Sequence, residues 1–96
     1  MIDLHTHTVL SDGALLPSEL IRRVQNMGHR AVAITDHVDA SNLELVLASI
    51  IRVCEEIKDE YDIIVIPGVE ITYVPPQNIP RVAQQARQLG AKIILV

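Results

Sequence analysis

Short apolar runs alternate with amphipathic segments along the whole length of this 96-residue chain. The apolar runs are rich in Val, Ile, Leu and Ala and are apolar on both faces, which is typical of buried strands. They predict strands at residues 1–5, 31–35, 62–66 with a continuation through 69–71, and 91–96. One amphipathic segment separates each strand from the next.

These amphipathic segments predict three helices, at residues 17–27, from residue 41 to about residue 60, and at 79–89. Their apolar residues recur at spacings of three and four, as on a helix with one buried face. The predicted buried stripes are Leu20, Ile21, Val24 and Met27; Leu43, Val46, Leu47, Ile50, Cys54 and Ile57; and Ile79, Val82, Ala83, Ala86 and Leu89.

Residues that favour helix ends flank the same segments. Pro17 suits a first helical turn, and Gly28 suits the left-handed residue that closes a helix. Ser41 and Glu44 form a capping-box pattern, and Asn78 is expected to cap the third helix.

Buried strands separated by single helices predict consecutive βαβ units, in which the strands lie parallel. The fold class is therefore α/β, with about four βα units in one domain. A parallel barrel closes with about eight strands, so these units predict the amino-terminal half of a TIM-like barrel. Residue 96 falls inside the fourth predicted strand, and we expect a domain that is incomplete at its carboxyl end, with an open strand edge.

The composition agrees with such a domain and argues against several functional classes. Hydrophobic residues make up 49% of the chain and aromatic residues 2%, so burial must come from aliphatic side chains. The net charge of −4 and the scattered basic residues argue against binding to nucleic-acid phosphates. No apolar run approaches the roughly 18 residues of a membrane span, and no signal-peptide pattern opens the sequence, so we expect a cytoplasmic location.

Titratable side chains follow the predicted strands at the point where each strand ends. They are His5, His7 and Asp12 after the first strand, Asp36 and His37 after the second, and Glu70 after the third. Parallel β/α barrels carry their catalytic groups on this rim. Alternate residues of a strand share a face, so His5 and His7 can direct two imidazoles at one metal ion.

Imidazole and carboxylate are ligands that Zn, Mn and Fe all accept. A carboxylate can bridge two ions, whereas a single imidazole nitrogen cannot. Three histidines and two acids on one rim therefore predict a site for more than one divalent ion. The candidate ligands are His5, His7, Asp12, His37 and Glu70.

Some polar residues have a structural interpretation as well. Asp12 lies in a Ser-Asp-Gly turn, where an aspartate often bonds to its own backbone. Asp3 shares the face of His5, and Asp36 precedes a histidine; we expect both behind the ligands, with Asp36 accepting a ligand's ring N–H. His29 follows a helix end, away from the rim, and is expected to be a solvated loop residue.

Four stretches together resemble the amino-terminal part of the PHP superfamily, named for polymerase and histidinol phosphatase. They are residues 3–8 (DLHTHT), 11–13 (SDG), 33–37 (AITDH) and 67–70 (PGVE). The resemblance runs from residue 1 to about residue 71 and, less specifically, to residue 96. Some members of the superfamily carry a histidine where this chain has Gly13, which places the chain with the Ser-Asp-Gly branch.

The resemblance implies a distorted (β/α)7 barrel whose rim holds two or three divalent ions (Zn, Mn or Fe). It also implies an enzyme that hydrolyses phosphoesters at this rim. By position, the five candidate ligands match early ligands of the superfamily, with Glu70 as the metal bridge. Asp12, His37 and Glu70 are then the catalytic residues, acting through metal-activated water, and no Ser or Cys nucleophile is needed. Further ligands are expected after the fourth strand.

Our first hypothesis is accordingly a metal-dependent phosphoesterase acting on a phosphorylated small molecule. It would work with a complementary carboxyl-terminal half of the barrel, supplied as a separate or cleaved chain. A second hypothesis is an inactive metal-binding or assembly fragment whose open fourth strand pairs with another subunit, including a second copy of itself. A third is an amidohydrolase-like metallohydrolase, although residues 35–37 and 68–70 fit the PHP pattern better.

Overall fold

Parallel strands and helices alternate along residues 1–96 in the computed structural model, in the predicted order. The elements are β1 (Ile2–Thr6), α1 (Pro17–Asn26), β2 (Ala31–Ile34), β3 (His37–Val38), α2 (Leu43–Ile57), β4 (Ile64–Ile71), a 3₁₀ turn (Pro76–Asn78), α3 (Ile79–Gln88) and β5 (Ile93–Leu95). The predicted boundaries differ from these by a few residues. The predicted second strand is interrupted at Thr35 and Asp36, so it forms β2 and β3.

All the strand pairs are parallel, and β2 and β3 together occupy one position in the sheet, between β1 and β4. β1 pairs with β2, β2 and β3 both pair with β4, and β4 pairs with β5. The register between β2 and β4 continues unchanged into β3, where His37 lies opposite Glu70. The sheet curls into half of a barrel, which confirms the predicted fold class.

The hydrophobic core lies between this sheet and the three helices. Each helix contributes aliphatic side chains that are almost fully buried, among them Ile21 of α1, Leu47 of α2 and Val82 of α3. The predicted stripes are therefore mostly confirmed. Met27 is an exception, since 70% of it is exposed; α1 ends before this residue, which turns its side chain away from the core.

The two outer strands of the half barrel each have one unpaired edge, because β1 pairs only with β2 and β5 only with β4. Apolar side chains near the first of these edges are exposed, including Ile2 and Leu4 of β1. Ile64, at the start of β4, is exposed as well. An unpaired strand edge with exposed apolar side chains is a place where further strands can add.

The helix ends confirm the predicted glycine stop after α1 and contradict the predicted capping box of α2. Gly28 has a φ of 90°, the left-handed conformation expected after α1. The capping-box prediction for α2 is wrong: the helix begins after Asn42, and the Ser41 hydroxyl donates to the carboxylate of Asp39 instead. The Asp39 carboxylate also accepts the Ser41 backbone N–H, so Ser41 belongs to a turn that precedes the helix. Asn78 precedes α3 as predicted, but its side chain makes no capping bond.

The prediction that His29 is a solvated loop residue is also wrong. The residue is only 8% exposed, and its backbone N–H donates to the carbonyl of Val24 in the closing turn of α1. This bond turns the residue inward, and its ring Nδ1 is buried without a hydrogen-bond partner. None of the three helices combines the length and the hydropathy that crossing a membrane requires.

Candidate metal centre

A bulge in β1 prepares the first two histidines. Asp3 lies opposite Val32 and Thr6 lies opposite Ile34, so three steps along β1 match two steps along β2. The backbone N–H of His5, inside the bulge, donates to Asp3 Oδ1 at 3.1 Å. Asp3 therefore positions the main chain that carries His5. This hydrogen bond is how Asp3 supports a candidate ligand from behind.

Glu70 gathers the imidazoles of two strands around one carboxylate. Its Oε1 atom lies 2.6 Å from His5 Nε2 and 2.9 Å from His7 Nε2. Its Oε2 atom lies 3.8 Å from His37 Nδ1. The two oxygens of Glu70 thus face different histidines, as a carboxylate that bridges two ions would.

Asp12 completes the cluster from the loop after β1. Its Oδ1 atom lies 2.9 Å from His7 Nδ1, and its Oδ2 atom lies 3.1 Å from His37 Nε2. The side chain of Asp12 is 62% exposed, so this part of the cluster opens to solvent. All five candidate ligands predicted from the sequence therefore meet on one rim.

The cluster contains two groups of three side chains whose potential ligand atoms lie within 4.8 Å of one another. The groups are His5, His7 and Glu70, and His7, Asp12 and His37. Three protein ligands with a position left open is the pattern of catalytic zinc sites. The donor set thus suits two neighbouring divalent ions.

His7 provides a direct test of that fit, because both of its ring nitrogens face carboxylate oxygens at 2.9 Å. A neutral imidazole donates a hydrogen bond from one nitrogen only. Its second nitrogen is a lone pair that would repel a carboxylate, unless that nitrogen is protonated or a cation lies between the two groups. The arrangement therefore calls for positive charge between the two carboxylates, supplied either by a second proton on His7 or by a metal ion.

Both carboxylates of the cluster are ionised at neutral pH. Burial raises the pKa of Glu70, but hydrogen bonds from His5 and His7, with the charge of His37, bring it below its ordinary value of 4.5. Partial desolvation acts in the same upward direction on Asp12. The charges of His37 and His7 outweigh it and hold the pKa of Asp12 below 3.8. Ionised carboxylates are the form that binds metal.

Thr72 is a site residue that sequence reasoning missed. Its hydroxyl donates to the Glu70 carbonyl at 3.2 Å and lies 2.6 Å from His37 Nδ1. With its proton on that carbonyl, the Thr72 oxygen would accept from the Nδ1–H tautomer of His37. That bond leaves the Nε2 lone pair free for a metal. The available signal was the spacing, since Thr72 follows Glu70 by two positions.

Asp36 does not accept a ring N–H from a ligand histidine, contrary to the sequence-based prediction. It is fully buried, and its carboxylate accepts the Thr8 N–H at 2.7 Å, the Thr8 hydroxyl at 2.8 Å and the Ser11 hydroxyl at 2.5 Å. The interruption between β2 and β3 directs this side chain toward the loop after β1. Asp36 therefore holds the loop that carries Asp12.

Gly13 lets that loop close beneath the site. A Cβ atom at this position would lie 2.5 Å from the carbonyl oxygen of His7 and 2.8 Å from the backbone nitrogen of Thr8. The Gly13 N–H donates to the Thr8 carbonyl at 2.8 Å. The close approach explains why this loop carries glycine directly after Asp12.

The chain is similar to a known family and to several known proteins. Residues 3–95 match the family model for the PHP domain. The chain is 52% identical over 95 residues to an uncharacterized protein of Methanocaldococcus jannaschii, a match that covers 98% of this chain and 44% of the relative.

Two further relatives have descriptive names. The chain is 42% identical over 73 residues to the 5'-3' exoribonuclease Rnm of Escherichia coli, covering 75% of this chain and 22% of the relative. It is 34% identical over 87 residues to the PolC-type DNA polymerase III of Caldanaerobacter subterraneus, covering 88% of this chain and 6% of the relative. The chain thus spans less than half the length of each of these relatives.

Proposed function

The chain belongs to the PHP domain family, and on that premise we propose that it forms the metal-binding part of a phosphoesterase. The observation that carries the proposal is the convergence of five imidazole and carboxylate side chains at the carboxyl ends of neighbouring parallel strands. A metal-dependent function of the phosphoesterase type is consistent with the family and with the named relatives.

The proposed ligands divide between two ions. His5 and His7 would hold one ion with Glu70 Oε1, while Asp12 and His37 would hold the other with Glu70 Oε2, so that Glu70 bridges the two ions. When bound, divalent ions supply Lewis-acid stabilisation of phosphate oxygens and a water acidic enough to act near neutral pH. Zn, Mn and Fe all suit this set of nitrogen and oxygen donors.

The chain's own residues would set the spacing of the ions, the direction of a ligand lone pair and the side on which the phosphate enters. Glu70 would fix the spacing of the ions, because its two oxygens face different histidines. Thr72 would hold the proton of His37 on Nδ1, so that the Nε2 lone pair could bind the ion that Asp12 also holds. The exposed side of the cluster, at Asp12, is where a phosphate would enter.

We further propose that additional barrel strands complete the site. The unpaired edges of β1 and β5 and the exposed apolar residues of β1 would accept a complementary carboxyl-terminal half. The Methanocaldococcus jannaschii relative is more than twice as long as the matched segment, which supports such a partner. Without these strands, we expect metal binding but weak catalysis.

The proposed substrate is a phosphorylated small molecule. A nucleic-acid end is the second candidate, and the name of the exoribonuclease relative favours it. Both substrates would present a phosphate to the same metal cluster. They differ in the group esterified to that phosphate, which is a small molecule in one case and an oligonucleotide in the other. Comparing a phosphomonoester with a 5'-phosphorylated oligoribonucleotide separates the two.

The proposal is tested by assaying the metal-loaded full chain, with and without co-purifying protein, against both substrates. We expect hydrolysis that needs metal and is lost in His7→Ala and Glu70→Gln. Glu56→Gln changes an exposed carboxylate on α2 and serves as the matched control. Turnover that is unchanged in Glu70→Gln would contradict the proposal. Metal binding by every preparation without any turnover would favour the inactive metal-binding fragment instead.

A further inference from the structure

Tyr73 is an exposed aromatic residue on the rim that is not a candidate metal ligand. Its side chain is fully exposed, and it follows β4 by two residues. It also has a φ of 57°, and it is the only non-glycine residue with a positive φ. A bulky residue in the left-handed region is an outlier, and such outliers cluster at functional sites.

Tyr73 borders two clefts that metal-cluster residues also line. Tyr73 and Glu70 line one cleft of about 430 Å³, together with the apolar side chains of Ile71, Val74 and Ile79. This volume lies in the range of about 300–1,000 Å³ that is usual for ligand sites. Tyr73 and His37 also line a smaller adjoining cleft of about 180 Å³.

The backbone next to Tyr73 is tied to the site. The Thr72 N–H donates to the Val38 carbonyl at 2.9 Å, and the Thr72 hydroxyl lies 2.6 Å from His37 Nδ1. These two contacts fix the residue directly before Tyr73 relative to a metal ligand. The backbone of Tyr73 is therefore anchored next to the metal cluster, while its exposed ring is free to meet a bound group.

We propose that Tyr73 is a stacking subsite for a planar ring carried by the phosphate ester. This inference rests on the proposed function of the metal cluster. A phosphate held by the metal ions could extend its ester group along the cleft that Glu70 and Tyr73 line, where an exposed aromatic face and aliphatic walls favour a flat, apolar ring over a sugar or an alkyl chain. A nucleobase and a phenolic ring share this chemistry.

The test measures binding rather than turnover. The Zn²⁺-loaded full chain is titrated with AMP and with ribose 5-phosphate, which lacks the base, while the tyrosine ring protons are followed by NMR. We expect AMP to bind at least about fivefold more tightly, since one base stacked on an aromatic ring gives roughly 5- to 150-fold. The ring signal that moves should be the one that disappears in Tyr73→Phe.

Variants separate stacking from stability. Tyr73→Gly removes the ring and suits the positive φ, so it should fold while losing the AMP advantage and keeping the affinity for ribose 5-phosphate. Tyr73→Phe should keep the advantage. Met27→Ala, which removes another exposed apolar side chain at the end of α1, should change neither affinity.

These measurements distinguish a failure of the Tyr73 subsite from a failure of phosphate binding at the metal cluster. Equal binding of AMP and ribose 5-phosphate, or an AMP advantage that survives in Tyr73→Gly, would overturn the stacking subsite and leave the metal site standing. If neither phosphate binds, the phosphate-directed function fails and the subsite fails with it. Phenyl phosphate and inorganic phosphate form a second pair: a matching gain for the phenyl ring indicates any planar ring, and a gain for AMP alone indicates a nucleobase.

Discussion

The buried carboxylate of Asp36 accepts hydrogen bonds from both the backbone N–H and the hydroxyl of Thr8, at 2.7 and 2.8 Å. The backbone carbonyl of Asp36 accepts the N–H of Glu70 at 2.9 Å. One residue thus joins the loop that carries Asp12 to the strand that carries Glu70. This connection gives the metal cluster its shape before any ion binds.

Replacing Asp36 should therefore destabilise the fold and loosen the site. In Asp36→Ala, buried donors of Thr8 and Ser11 lose a charged acceptor, which we expect to lower the free energy of unfolding by about 3 kcal/mol. Urea unfolding in the presence of a chelator measures this effect without a contribution from metal. Asp62→Asn, an exposed carboxylate before β4, is the control. Equal stability of Asp36→Ala and the unmodified chain would contradict the role given to Asp36.

Gly13 and Gly28 should respond to the same substitution in different ways. In Gly13→Ala, the Cβ clash with the His7 carbonyl forces the loop to shift and moves Asp12. Changes behind metal ligands typically cost about 10- to 100-fold in affinity, and we expect a loss of this size. Gly28→Ala meets no atom within 4 Å but keeps a φ of 90°, so it should lower stability and leave metal affinity unchanged. Isothermal titration with Zn²⁺ measures both, and equal affinities for the two variants would count against the loop argument.

The two site carboxylates should make metal-free stability sensitive to acid. Their pKa values are lowered by the fold, so the folded chain binds fewer protons than the unfolded chain near those values. The stabilisation is complete above the ordinary values of 3.8 and 4.5, and it is lost as the pH falls through the lowered values.

The check is a series of urea unfolding curves with a chelator present, starting from about pH 6. The unmodified chain should be more stable than the Asp12→Asn, Glu70→Gln double variant at the start of the series. The difference should shrink as the acid range is entered. A difference that does not vary with pH would show that the carboxylates stabilise the fold in some other way.

Cys54 should give the opposite dependence, at alkaline pH. Burial against the core, with the nearby charge of Glu55, raises the pKa of this thiol from 9.0 to about 11. Its contribution to stability is complete below the unfolded value and is lost as the pH rises through the folded value. Cys54→Ala should therefore show a smaller decline in unfolding free energy between those values. Rapid reaction of the native thiol with a disulfide reagent at neutral pH would contradict its burial.

Much of the fold could be predicted from local patterns. The strands and helices follow from apolar periodicity, and the left-handed turn at Gly28 follows from the freedom of glycine. Side-chain competition was harder to predict. Ser41 carries a capping signature, yet its hydroxyl and its backbone N–H both donate to the Asp39 carboxylate in a turn ahead of the helix.

The ligands of the site could be predicted because parallel strands bring their carboxyl ends together. His37 and Glu70, which are far apart in the sequence, lie opposite each other in the sheet. The supporting residues could not be predicted in the same way. The contacts of Asp36 depend on the interruption between β2 and β3, and those of Thr72 depend on register, neither of which is visible in a hydrophobic pattern.

Two divalent ions held by five side chains of this chain are what we propose for the rim. Anomalous diffraction from crystals of the full chain grown with Mn²⁺ tests this proposal most directly. We predict two peaks, one among His5, His7 and Glu70 and one beside Asp12, His37 and Glu70, each at a bonding distance of roughly 2.0–2.3 Å from its ligands. Saturating Mn²⁺ with no peak at either position, or with peaks only at other surface carboxylates, would contradict it.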